Sequence, residues 1–263
     1  MQLNIKLGEP KNKDGQGGVY MLTFENISAS YNGVTAISEV SFTIENPAIV
    51  GIIGPNGAGK STLIKAALNL IPSTGEVTIN QQPLASHQKN IAYVEQKSAI
   101  DHTFPITVRE CVSLGLYPKK KIFQRLTKGD WAKVDQALDV VQMLEFKERQ
   151  IGELSGGQFQ RVLIARTLVQ EAQYIFLDEP FVGIDTTSES IIMELLENMR
   201  GEGKMIFIVH HDLSKVREYF DELVILNHHL IVQGKTADVF NEQNVVEAFG
   251  ESIFVKGGHS NAK

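Results

Sequence analysis

The run Gly54-Pro55-Asn56-Gly57-Ala58-Gly59-Lys60-Ser61 fits the pattern G-x-x-x-x-G-K-[ST]. Its glycines at 54, 57 and 59 permit backbone torsions barred to residues with a Cβ, so successive amide N–H groups can turn inward around phosphate oxygens. Lys60 adds a cation for the β- and γ-phosphates, and the Ser61 hydroxyl is suited to ligating Mg²⁺. The apolar Ile49, Val50, Ile52 and Ile53 precede the run as a buried strand would. The segment LIKAALNLI (63–71) follows it as a helix expected to stop at Pro72. Such a helix points its positive end at the phosphates. This strand, loop and helix context separates a phosphate cradle from a glycine-rich turn that happens to precede a lysine.

A second run, Leu154-Ser155-Gly156-Gly157-Gln158, is a glycine-rich, hydroxyl-bearing turn ahead of the helix QFQRVLIARTL. A lone nucleotide site does not require it, and the two runs together predict ATP bound between two copies of the chain. A third signal is Tyr174-Ile175-Phe176-Leu177-Asp178-Glu179, four apolar residues and then two acids. A carboxylate at the end of a buried strand beside a phosphate cradle can hold Mg²⁺, the role read for Asp178. Glu179 points differently and could orient and deprotonate the attacking water. His210 and His211 end the next apolar run in the same manner, where one could contact the γ-phosphate or hold the water and Glu179 in register; such a pair also reads as structural.

The chain has 263 residues, 43% hydrophobic and 21% charged, enough to bury a substantial core. A net charge of −6 argues against a protein whose main task is gripping nucleic-acid backbone, so no nucleic-acid partner is expected. Runs such as AIVGIIG and MIFIV are far too short to cross a bilayer, and any membrane span must come from a partner. No apolar leader stands at the N-terminus and the lone Cys111 cannot form an intrachain disulfide, which points to a reducing cytosol.

Residues 1–20, rich in glycine and charge, are expected to be a disordered or non-native extension, and 251–263 a tail. From Met21, MLTFENISASY, a turn at Asn32-Gly33 and AISEVSFTI read as antiparallel strands, with GEVTIN (75–80) as another. They predict a small β-layer beside the nucleotide. Tyr31 sits at its turn, where its ring could stack on adenine or be a half-buried strand tyrosine. After the strand-like IAYVEQ (91–96), an irregular stretch with Asp101, His102 and Pro105 gives way to helical periodicity. DWAKVDQALDVVQML takes Asp130 as its N-cap and Val134, Ala137, Leu138 and Val141 as its apolar face. The block 97–157 is expected to be a helical subdomain. YIFLDEP, SESIIMELLENMRG and MIFIVHHD then return to alternating strand and helix, implying a parallel-sheet core with an insertion.

On these motifs the chain resembles the ATP-binding subunits of ATP-binding-cassette (ABC) transporters over residues 21–250. The resemblance implies an α/β fold: a P-loop NTPase (RecA-like) core with an antiparallel β subdomain and an inserted α-helical subdomain. The family's order is present: Tyr31 as the adenine-stacking aromatic; Gly54, Pro55, Asn56, Gly57, Ala58, Gly59, Lys60, Ser61 and Thr62 around the phosphates; Gln96 as the Q-loop glutamine, sharing Mg²⁺ with Ser61 and Asp178. Leu154 to Gln158 correspond to the signature, Glu179 to the general base, Asp185 to the D-loop aspartate and His211 to the switch histidine. The expected catalytic set is thus Glu179, His211, Gln96 and Lys60.

The resemblance also implies a head-to-tail homodimer, each ATP held between one cradle and the other subunit's Ser155, Gly156 and Gly157. It implies multi-spanning permease subunits, a periplasmic or extracellular substrate-binding protein reached through them, and a peripheral place on the cytoplasmic face of the membrane. Residues 97–117 then form the permease docking groove, with Cys111, Val112, Leu114 and Leu116 as lining; the same residues could instead pack the subdomain's own core. FPITVRECVSLG, LDEPFVGID and IVHHDL most resemble bacterial importers of manganese, zinc and iron. The alternatives are an iron-siderophore importer, a soluble ABC ATPase such as an iron–sulfur assembly scaffold, and a non-hydrolytic regulator. The turn after Ile79, Asn-Gln-Gln-Pro, departs from the family's usual glycine. His87, His102, His228, His229 and His259 match no recognisable zinc spacing.

Overall fold

The computed structural model describes residues 21–96, 104–121 and 123–250. Its strands in chain order are β1 (Leu22–Tyr31), β2 (Val34–Ile44), β3 (Ile49–Ile53), β4 (Thr74–Ile79), β5 (Gln82–Pro83), β6 (Ile91–Val94), β7 (Tyr174–Asp178), β8 (Met205–Val209), β9 (Glu222–Leu226) and β10 (Leu230–Lys235). The helices are α1 (Lys60–Ala67), α2 (Val108–Ser113), α3 (Lys128–Val140), α4 (Gly156–Gln170), α5 (Thr186–Gly201), α6 (Val216–Tyr219), α7 (Thr236–Val239) and α8 (Glu242–Phe249).

One sheet is antiparallel, in the order β2-β1-β4-β5. Its hairpins are closed by Asn32-Gly33 (φ 50° and 81°) and by Asn80-Gln81 (φ 49° and 66°). Paired positive torsions of this kind match the right-handed twist of the strands they join. The usual glycine is therefore replaced here by a glutamine held in the left-handed region. The other sheet runs β10-β9-β3-β8-β7-β6, parallel from β9 to β6 with β10 antiparallel at the edge.

Alternation along the central strands divides the core in two. Ile49 and Ile53, Ile175 and Leu177, Ile206 and Ile208 face the helices α2 to α5. Val50 and Ile52, Tyr174 and Phe176, Phe207 and Val209 face α1 and the antiparallel sheet. Phe176 stacks on Phe207 at 4.9 Å on that second side, and the five residues of β3, β7 and β8 are all buried.

Some local expectations are corrected. The cradle helix ends at Ala67 rather than at Pro72, because Asn69 takes φ 54° and its N–H and that of Leu70 return to the carbonyls of Ala66 and Lys65. That is a helix stop written by an αL asparagine. The N-cap of α3 is Thr127, and Asp130 is the third helical residue, whose carboxylate reaches back to the Thr127 N–H at 2.8 Å. β6 ends at Val94, leaving Glu95 and Gln96 beyond it. Of the proposed groove lining, Cys111, Val112 and Leu116 are buried against the helical core and Leu114 alone is exposed. Asp101, His102 and His259, with 1–20, 97–103 and 251–263, lie outside the described residues. Among the described residues no helix is long and apolar enough to cross a membrane.

Candidate nucleotide site

The loops that follow β3, β6, β7 and β8 leave the carboxyl edge of one parallel sheet, where such sheets place their ligands. Residues far apart in sequence meet there. Gly59 is the N-cap of α1 at φ 91°, and a Cβ on it would lie 2.2 Å from the Ile37 side chain, so only glycine lets the loop pass β2 this closely. The Lys60 ammonium, donating to the Gly54 and Pro55 carbonyls at 2.9 Å each, is held over the loop. Burial lowers its pKa, opposed by the nearby carboxylates of Glu179 and Asp178.

Asp178 ends β7 and is 3% exposed. Burial raises its pKa, against the pull of the Ser61 hydroxyl, which donates to its Oδ1 at 2.7 Å. A desolvated carboxylate beside a hydroxyl is an oxygen donor set that suits a hard divalent cation, so the residues present fit Mg²⁺. Glu179, one residue on, has φ 51°, a left-handed torsion that turns its side chain away from the strand's alternation. Its Oε2 accepts from the Gln96 side-chain amide at 2.6 Å. Gln96 thus touches the carboxylate expected to activate water, from the loop at the open edge of the sheet. Lys65 of α1, bonded to Glu95 at 2.8 Å, ties the cradle helix to that same loop. Tyr31 stands at the tip of its hairpin, 46% exposed, with a ring face available for stacking.

The second run gathers elsewhere in the chain. Ser155 caps α4, accepting from the Gln158 N–H at 3.3 Å while the Gln158 side chain accepts from the Ser155 N–H at 2.9 Å. The pair is a capping box, and it presents the amides of Gly156 and Gly157 at a helix N-terminus. Gly157 lies against the start of α5, where a Cβ would come within 2.5 Å of both Asp185 Oδ2 and Ser188 Oγ. Asp185 caps α5, and its bonds to Ser188 lower its pKa. Leu154 to Gln158 and Asp185 therefore form one group, and Lys60, Ser61, Gln96, Asp178 and Glu179 another.

Of the two histidines, His211 is exposed and His210 is buried in an aromatic cluster. Sequence reading missed Lys65, Glu95 and Arg161, whose guanidinium donates to the Val141 carbonyl at the end of α3 at 3.1 Å and lies near Asp185. Nothing in their local pattern marks them, since sheet order and helix packing bring their partners from distant segments.

The profile of the family described as ABC transporter matches residues 37–182. The manganese transport system ATP-binding protein MntB of Listeria innocua is 46% identical over 88% of this chain and 97% of its own length. The zinc transport system ATP-binding protein TroB of Treponema pallidum is 42% identical over 89% of this chain and 88% of its own. Among solved structures, an ATP-binding cassette of an ABC transporter in its ADP conformation superposes with a TM-score of 0.72 at 26% identity, covering 88% of this chain and 98% of that one.

Proposed function

This chain belongs to the ABC transporter family and is an ATP-binding, ATP-hydrolysing subunit, and on that premise we propose that it energises the import of a divalent metal ion, manganese or zinc. The observation that supports this reading is the Gln96–Glu179 pair beside Ser61–Asp178, in a chain alike over nearly its whole length to manganese and zinc transport subunits.

In this reading adenine stacks on Tyr31, the amides of 54–62 surround the phosphates, and Lys60 leaves the loop carbonyls for the γ-phosphate. Ser61, Asp178 and Gln96 would hold Mg²⁺, which when bound neutralises phosphate charge. Glu179 takes the proton of the attacking water and Gln96 fixes the carboxylate that receives it. The exposed His211 faces the γ-phosphate. The Ser155 hydroxyl and the amides of Gly156 and Gly157 stand at the N-terminus of α4 beside Asp185 and Ser188, and we assign them to the ATP of a second copy. A two-fold head-to-tail homodimer gives two such sites. ATP then glues the subunits, and hydrolysis removes the charge that the glue requires.

The permease and an extracellular or periplasmic binding protein supply the path for the ion, and this subunit sits peripherally on the cytoplasmic face. Glu179→Gln tests the hydrolytic role: it should keep ATP binding, slow turnover by roughly 10²- to 10⁴-fold and trap the ATP-bound dimer. Co-purification with a multi-spanning permease and loss of manganese or zinc uptake in that variant support the transport role. Recovery with a soluble partner and no permease, or uptake that persists in Glu179→Gln cells, sinks it.

A further inference from the structure

The turn that joins β9 to β10, Asn227-His228-His229, takes no part in the chemistry above, yet it lies against the phosphate loop. β9 runs parallel to β3 with Ile225 beside Ile53, so the chain leaves the sheet next to Gly54. A Cβ on Gly54 would collide with the Leu226 carbonyl oxygen. The His228 N–H donates to the Ala58 carbonyl at 3.0 Å, inside the loop itself.

The same residue also meets the antiparallel sheet. Its carbonyl accepts from the Ser38 N–H at 2.8 Å, and its ring Nδ1 lies 3.1 Å from the Ala36 carbonyl oxygen. A carbonyl only accepts, so Nδ1 carries the hydrogen and donates. Ala36 stands on β2 two residues past Val34, the partner of Tyr31 across the hairpin. Its carbonyl is also the group that a Cβ on Gly59 would approach to 2.7 Å. His228 therefore bonds the cradle through its backbone, and the Tyr31 hairpin through both backbone and ring.

The turn does not by itself require an imidazole. His228 has φ 61°, a torsion that glycine takes freely and asparagine readily. What the ring adds is a side-chain link to β2. The tip of the β1–β2 hairpin is exposed at Tyr31 and Val34, and burial resumes at Ile37, so the link reaches the hairpin where it enters the fold.

We propose that His228 is a positioning residue for ATP binding: it holds the phosphate loop and the hairpin that carries Tyr31 at one spacing. ATP spans both elements, with adenine on Tyr31 and phosphates at 54–62. A hairpin fixed before ATP arrives does not have to be ordered on binding, and that pre-organisation is read as affinity. This rests on the stacking role given above to Tyr31.

Calorimetric titration of the full-length chain with ATP and with inorganic triphosphate, both with Mg²⁺, tests it. His228→Gly and His228→Ala lack the donor, the first with a freer backbone and the second without. In both, Kd and KM for ATP should rise about 2- to 10-fold, the scale of one hydrogen bond, with kcat at saturating ATP within about twofold of the parent. Triphosphate has no adenine to place, so its Kd should stay within about twofold. His228→Asn keeps a donor near the position of Nδ1 and should restore ATP affinity. Parental ATP affinity in either donor-free variant, an equal loss for ATP and triphosphate, a fall confined to kcat, or no rescue by asparagine overturns the proposal. Tyr31→Ala run alongside separates the failures. If it binds ATP like the parent the stacking role itself falls, and if it binds weakly while the donor-free variants bind normally only the role of His228 falls.

Discussion

Gly157→Ala should damage the chain twice, once in stability and once in turnover, because its side chain would land on the cap of another helix. The new Cβ would sit 2.5 Å from Asp185 Oδ2, 2.5 Å from Ser188 Oγ and 3.0 Å from Ser188 Cβ. Carbon and its non-bonded neighbours rest near 3.5 to 4 Å, so about 1 Å must be found. The Ser188 Cβ belongs to the first turn of α5 and cannot swing aside, which leaves the carboxylate and hydroxyl to move. They are the partners in the cap, Ser188 N–H to Asp185 at 2.9 Å and Ser188 Oγ to Asp185 at 2.8 Å. Losing an N-cap costs about 0.5–2 kcal/mol, and the second hydrogen bond about 1 kcal/mol more. At roughly 2–4 °C per kcal/mol for a domain of this size, the melting midpoint should fall by about 3–12 °C.

The atoms nearest the added Cβ belong to Asp185 and Ser188 and not to the lysine, serine or carboxylates of the phosphate group, so ATP affinity should change less than about twofold while turnover falls more than about tenfold, the scale of a 1 Å displacement. Circular dichroism melts, titration with a fluorescent ATP analogue and phosphate release read the three quantities. Gly201→Ala is the control, since a Cβ there meets nothing within 4 Å; it should be neutral or slightly stabilising. If Gly157→Ala melts and turns over like that control, the reasoning from the close packing of Gly157 on the Asp185 cap is wrong.

Asp178→Asn should raise the melting temperature of the nucleotide-free protein at neutral pH while abolishing Mg²⁺-dependent hydrolysis. Burial raises the folded pKa of Asp178, so its ionised form opposes folding and the advantage of asparagine shrinks as pH falls through that raised value; equal stability of the two proteins at pH 7 would refute it. Gln81→Gly should stabilise by about 0.5–1 kcal/mol, the strain of an αL side chain less the entropy glycine adds to the unfolded chain, readable by urea titration. Asp130→Asn should lower stability at pH 7: the Lys120 hydrogen bonds, then those to Thr127, hold the Asp130 carboxyl well below its ordinary value. Its contribution is present above an unfolded pKa of about 3.9 and is lost as pH falls through the folded one, so melting curves of the two proteins should converge in strong acid.

How legible the site was depended on whether its parts lie in one stretch of chain. The phosphate half is written continuously from Ile49 to Ala67, strand, loop and helix, and pattern alone gave its architecture. The acids after β7 were legible for the same reason, an apolar run that ends in charge. The Gln96 contact with Glu179 spans 83 residues, and the Lys65 bond to Glu95 spans 30; sheet order makes the first pair neighbours, and the packing of α1 on that sheet the second. Capping is ambiguous in the sequence where two residues share the task. Thr127 and Asp130 each bond the other's backbone, so either can look like the helix start, and the threonine's place one turn earlier is settled by where the backbone becomes helical. Likewise Cys111, Val112 and Leu116 carry an apolar stripe that does not say which neighbour covers it; α4 does so here.

The register of β8 separates the two histidines. Met205, Phe207 and Val209 face the antiparallel sheet, and Ile206 and Ile208 face the helices. A strand's period of two, carried one step beyond Val209, sends residue 210 inward with the isoleucines and leaves 211 outside. Identical residues are thereby given opposite surroundings by register alone, one exposed at the edge where the phosphate loops end and one sealed among Phe181, Tyr219 and Phe220. The same counting applied to Asp178 and Glu179 would place them on opposite faces too, but the positive φ of Glu179 breaks the alternation there. Register therefore carries the histidine assignment to the end of β8, whereas at β7 the direction of the second acid is set by a strained torsion that period counting cannot supply.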